Sequence, residues 1–87
     1  AVQALMDEAR TASEGDGGIH RFASRLKNST THEERPNYIE MMWEVALADG
    51  RLDPLEDQLI RRVAGLLGVS DQDRGAARKR AEERLKS

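Results

Sequence analysis

Apolar residues recur at helical spacing in five separate runs. Val2, Leu5, Met6 and Ala9 stand at i, i+3, i+4 and i+7, which lines one face of a helix running to about Ser13. Glu14-Gly15-Asp16-Gly17-Gly18 then interrupts it, because three glycines in four positions remove the backbone restriction a helix interior needs. The spacing returns at Ile19, Phe22, Ala23 and Leu26, predicting a short second helix that ends near Asn28 with Arg21, Arg25 and Lys27 on its polar face.

Thr31-His32-Glu33-Glu34 reads as a capping box. The Thr31 hydroxyl accepts from the Glu34 N–H, and the Glu34 carboxylate accepts from the Thr31 N–H. A third helix is therefore predicted from His32, with Pro36 near the end of its first turn deleting one backbone hydrogen bond and bending the entry. Ile39, Met42, Trp43 and Ala46 form its stripe, and Tyr38, Met41 and Val45 widen it. Gly50 suits a left-handed helix terminus. Asp53 is the expected N-cap of helix four, with Pro54 as its first residue and Glu56 as capping-box partner. Leu55, Leu59, Val63 and Leu66, beside Ile60 and Leu67, supply its apolar face. Gly68 stops that helix and Ser70 caps a fifth, which offers only Ala76, Ala77, Ala81 and Leu85 and is expected to fray toward Ser87.

The fold class is thus all-α: one domain over residues 1–87, a compact five-helix bundle with an EF-hand-like acidic corner between helices three and four. At 87 residues the chain buries only about 60% of its unfolded surface, so its core is small and, with one Phe, one Trp and one Tyr, mostly aliphatic. Charged residues at 34% beside 38% hydrophobic content fit a folded helical protein rather than a disordered one. With no cysteine, disulfides and thiolate chemistry are excluded. No apolar run approaches the roughly 20 residues that cross a bilayer, and no signal-peptide pattern precedes the first helix, so a cytoplasmic location is expected. Charge is asymmetric. Residues 1–60 hold 6 Lys+Arg against 12 Asp+Glu, a net −6, and residues 61–87 hold 8 against 4, a net +4, so the two ends attract each other or a partner of opposite sign.

The corner carries the candidate chemistry. In Ala46-Leu47-Ala48-Asp49-Gly50-Arg51-Leu52-Asp53-Pro54-Leu55-Glu56, placing Gly50 at position 6 of a calcium loop puts Asp49 at 5, the Arg51 carbonyl at 7, Asp53 at 9 and Glu56 at 12. Positions 1 and 3 fall on Val45 and Leu47, which have no side-chain oxygen, so a complete calcium loop is excluded. Two readings remain. Asp53 and Glu56 serve only as helix caps, or Asp49, Asp53 and Glu56 form a partial site holding calcium or magnesium together with waters. His20 and His32 lack companions at zinc-ligand spacing. No Ser or Cys nucleophile stands in a recognisable catalytic arrangement, so a non-enzymatic role is expected. Glu40 and Glu44, one turn apart, read as a solvated face. Arg74, Arg78, Lys79, Arg80, Arg84 and Lys86 offer a basic run for phosphates, but without aromatic stacking residues, and nucleic acid is not the expected partner.

The turn A-x-A-D-G-x-L-D-x-x-E followed by LIRRVAGLLGVS, behind the Trp43 helix and THEER, resembles the C-terminal half of the bacterial tellurite-resistance TerB-like domain over roughly Glu33 to Arg80. That resemblance implies an all-helical fold and a role linked to tellurite or stress resistance, as an interaction or scaffold module or as a divalent-metal-responsive one. The family's usual domain carries two acidic corners where this chain shows one, which implies that an N-terminal helical hairpin is missing. Apolar surface left uncovered by that hairpin predicts self-association, most simply as a two-fold homodimer.

Overall fold

The computed structural model describes residues 2–15, 17–48 and 53–86. Five helices follow one another: α1 (Val2–Ser13), α2 (Gly18–Asn28), α3 (Arg35–Leu47), α4 (Pro54–Leu66) and α5 (Asp71–Lys86). Among the described residues there is no strand, and no helix is long and apolar enough to cross a membrane. Helix α3 lies at the centre, packed against α1, α4 and α5, while α2 packs against α1 and α4.

The core takes its members from every helix. Met6 and Ala9 come from α1, Ile19 and Phe22 from α2, and Ile39, Met42, Trp43 and Ala46 from α3. Helix α4 adds Leu59, Ile60, Val63 and Ala64, the turn behind it adds Leu67 and Val69, and α5 adds Ala77 and Ala81. Leu5, Leu26, Val45, Leu47 and Leu66 flank this cluster half-buried. Three residues depart from the pattern read along the sequence. Leu55 is 75% exposed rather than part of the α4 core face, one turn before the buried Leu59. Leu85 is 49% exposed and Ala76 lies outside the core, so α5 contributes alanines alone.

Several described helix boundaries have a chemical cause in their own residues. Gly17 adopts φ +70° as the N-cap of α2. Its neighbour Gly18 is buried where a Cβ would stand 2.3 Å from the carbonyl oxygen of Ala12, so the α1–α2 corner closes only around a bare Cα. Thr31 N–H donates to Glu34 Oε1 at 2.7 Å, and Glu34 N–H donates to Thr31 Oγ1 at 3.3 Å. The residues between them form a turn, and the α-helix proper starts at Arg35 rather than His32. Pro36 consequently falls within the first turn, where an N–H has no intrahelical acceptor, and it deletes no helix bond. The end of α4 is a Schellman closure. Gly68, at φ +76°, donates to the Gly65 carbonyl at 3.2 Å, and Val69 donates to Ala64 at 2.9 Å with its side chain tucked into the core. Ser70 Oγ accepts from the Asp73 N–H at 3.1 Å and starts α5. Gly50, the expected left-handed terminus of α3, lies outside the described residues.

Two outcomes follow from these boundaries. Gly18→Ala is expected to destabilise the fold by roughly 1–3 kcal/mol, toward the upper end because the obstacle is backbone, read as a lower denaturation midpoint. Gly15→Ala, with open space around it, is the control. The second concerns pH. The Thr31 N–H, and after it the Thr31 hydroxyl, hold the Glu34 carboxyl below its ordinary value of 4.5. A depressed carboxylate contributes stability that is present above its unfolded pKa and lost as pH falls through the folded one. The difference in melting temperature between wild type and Glu34→Gln should therefore be present at neutral pH and shrink as acid takes the pH below the ordinary carboxylate range and through the lowered folded pKa.

Candidate functional site

The N-terminus of α4 presents its donors and its carboxylates together. Asp53, extended at φ −70° and ψ 129°, accepts from the Leu55 N–H through Oδ1 at 2.8 Å, and Pro54 follows at the first helical position. Glu56 and Asp57 occupy the first turn, where the helix dipole favours negative charge. Arg10, in the last turn of α1, reaches across to Glu56, with Nη2 2.6 Å from Oε1, while its Nη1 holds Asp7 of its own helix at 3.1 Å. The guanidinium thus ties the end of α1 to the start of α4. Partial exposure, 39% for Arg10 and 22% for Glu56, limits such a pair to about 1 kcal/mol.

Beside this tie lies an open cleft of about 510 Å³ between α1 and α4, with Arg10, Ser13 and Glu14 on one wall and Leu55, Glu56 and Arg62 on the other. Leu55 stands at its rim with most of its surface in water. A larger and more open groove of about 800 Å³ runs between α1 and α2 and carries Asp7, Glu8, Arg21 and Arg25.

Of the three candidate metal ligands, Asp53 and Glu56 are brought to the same end of α4, and each has one oxygen already engaged, by the Leu55 N–H and by Arg10. Asp49 lies outside the described residues. Val45 and Leu47, at loop positions 1 and 3, are half-buried in α3 against the core, in keeping with the exclusion of a complete calcium loop. Among the described residues no three His, Cys, Asp or Glu side chains gather as a metal group, and His20 and His32 are exposed.

A second constellation was not legible in the chain. Glu40, read as part of a solvated face, is only 4% exposed. It accepts from Arg80 through Oε1 and pairs with Arg84 through Oε2 at 2.9 Å, while Arg84 donates a hydrogen bond to Glu44 at 3.0 Å. The hydrogen bond to Glu44, followed by the charges of Glu40 and Glu44, raises the Arg84 pKa above its ordinary value. Arg78 lies over the Trp43 ring, 5.2 Å from its centre, and reaches Asp57 at 3.7 Å and Glu82 at 3.3 Å. Much of the basic run of α5 is therefore spent on carboxylates of α3 and α4, the first of the two outcomes expected from the opposite charge of the two ends. The charge asymmetry between the two ends of the chain was the only sequence signal for it.

The sequence model of the family described as tellurite resistance protein TerB matches residues 1–79. The match takes in α1 and α2, which the corner motif alone left uncovered, and it ends inside α5. Comparison with curated proteins and with solved structures finds no match. A match over this share of the chain, on a five-helix fold, places it in the TerB family.

Proposed function

We propose that this chain is a non-enzymatic docking module of the TerB family, acting in the bacterial cytoplasm in tellurite or stress resistance, with the α1–α4 cleft as its protein-binding face. The observation that carries this reading is Leu55, three-quarters exposed at the mouth of a cleft whose walls are tied by Arg10 and Glu56. An apolar side chain beside ordered charges is the composition of a protein-binding surface, in which apolar contact supplies affinity and the polar rim supplies register. Nucleic acid is disfavoured, because Arg78, Arg80 and Arg84 already hold carboxylates of this chain. A second copy is the first partner to test, since a two-fold contact would cover the same leucine twice. Wild type is expected to sediment as a dimer at tens of micromolar, and Leu55→Asp as a 9.7 kDa monomer of unchanged melting temperature. Leu55→Asp should also abolish tellurite tolerance conferred by the wild-type gene. Full tolerance in that variant would remove the cleft from the mechanism, and a monomeric wild type would remove the homodimer.

A divalent-ion reading is favoured by one specific arrangement: Asp53 and Glu56 sit on the first turn of α4 at the ninth and twelfth calcium-loop positions, with Asp49 at the fifth. In this reading Asp49, Asp53 and Glu56 hold calcium or magnesium with waters, and Arg10 yields its place on Glu56. An ion that binds only the native state stabilises it by about 2.7 kcal/mol at 100 times its dissociation constant. Millimolar calcium or magnesium should then raise the melting temperature of wild type and not of Glu56→Gln. Asp53→Ala separates the two roles of that residue. Loss of the cap costs about 1 kcal/mol with or without the ion, whereas a loss seen only in its presence assigns Asp53 to the metal.

A further inference from the structure

We infer that α5 is a charge-latched strap, a helix that swings off α3 as a unit while α1 to α4 stay folded, with its open population set by ionic strength. The argument begins with what α5 buries. Its core contribution is Ala77 and Ala81, one methyl group each, whereas α4 buries Leu59, Ile60, Val63 and Ala64. Helix α5 thus brings only two methyl groups of its own to the seam, and the larger apolar area covered there belongs to α3, the Trp43 ring included. Charge holds the remainder: Arg80 and Arg84 on Glu40, Arg84 on Glu44, and Arg78 on Asp57. The arginines of these pairs are 38% to 63% exposed and their carboxylates 5% to 26%, so salt reaches each pair from the arginine side, most readily at Arg84 with Glu44 and least at the buried Glu40.

A second set of ion pairs lies within α5. Asp71 with Arg74 and Arg78 with Glu82 are spaced three and four residues apart and support the helix whether or not it is docked. Its alanine, arginine, lysine and glutamate content favours helix over 16 residues. The strap therefore leaves α3 as a helix, and once detached a lone helix of 16 residues with Gly75 in its interior is marginal in water and frays, so its amides exchange. Closure also carries an opposing cost, since the buried Trp43 Nε1–H has no partner among the described residues and regains water on opening. The hinge is Leu67 to Ser70, built on left-handed Gly68. Opening would uncover the Trp43 ring and the Glu40 carboxylate together, an apolar and acidic face on α3.

Native-state amide exchange on the full chain tests this between about 0.01 M and about 1 M sodium chloride, over which the Debye length falls from about 30 Å to about 3 Å. Amides of α5 are expected to exchange faster than the slowest amides of α3 and α4, and the ratio should widen about tenfold at high salt, as for a sub-global opening. Arg84→Gln, at a side chain 63% exposed, should keep the fold, raise the ratio at low salt and flatten its salt dependence. Equal rates for α5 and the core helices at both salt concentrations would overturn the strap. An Arg84→Gln protein with the wild-type ratio and salt response would overturn the latch.

Discussion

Helix α3 must be covered on most of its circumference, and one of the groups to be covered is a carboxylate. Ile39, Met42, Trp43 and Ala46 turn apolar surface toward α1, α4 and α5, and Glu40 is buried with them. An ionised carboxylate in such a place is unfavourable unless its charge is met by cations and its oxygens by donors. Arg80 and Arg84 meet both conditions, and they fix where α5 lies along α3. Helix α5 therefore closes the bundle with very little apolar surface of its own. Replacing one partner of such a cluster costs far more than the cluster contributes over a well-packed apolar equivalent, because the remaining charge is stranded. Its value to the fold lies in fixing position.

The same division of labour runs through the other contacts. Helices α1 to α4 are held by large aliphatic and aromatic groups, whose attraction is non-directional, and two of their junctions add a directional contact that sets the register. Arg10 on Glu56 sets α1 against α4, and Arg35, donating to the Lys27 and Thr30 carbonyls at 3.0 and 3.2 Å, sets the start of α3 against the end of α2. Arginine suits these posts because its planar fork serves two acceptors at once. Arg10, Arg35 and Arg84 each do so here.

What could be read from the sequence was whatever is decided within four or five neighbours. The Thr31–Glu34 box, the Asp53–Pro54 start, the Gly68 stop and the Ser70 cap are local hydrogen-bonding problems with few solutions, and the residues name those solutions. Burial is not local. Leu55 and Leu59 are one turn apart and share a face by periodicity, yet one is in water and the other in the core, because a helical wheel records direction and not how far the neighbouring helices extend. Glu40 fails the same test in reverse. Its cations come from 40 and 44 residues away, so nothing around Glu40 distinguishes it from the surface glutamates of a solvated helix.

This contrast also decides where function is to be sought in the family's signature turn. Asp53 caps α4 and Glu56 anchors Arg10, so both would be needed by a protein with no ligand at all. Their presence in the motif is explained by folding before any ion is invoked. Leu55 has no such employment. It caps nothing and buries little, and a leucine in the first turn of a helix brings no more propensity than many polar residues would. One exposed leucine is ordinary on any protein surface and by itself carries no message. Placed between a cap and an anchor that hold it at the rim of a cleft, it is the residue of the turn whose identity the fold does not require, and therefore the one whose identity another molecule has to explain.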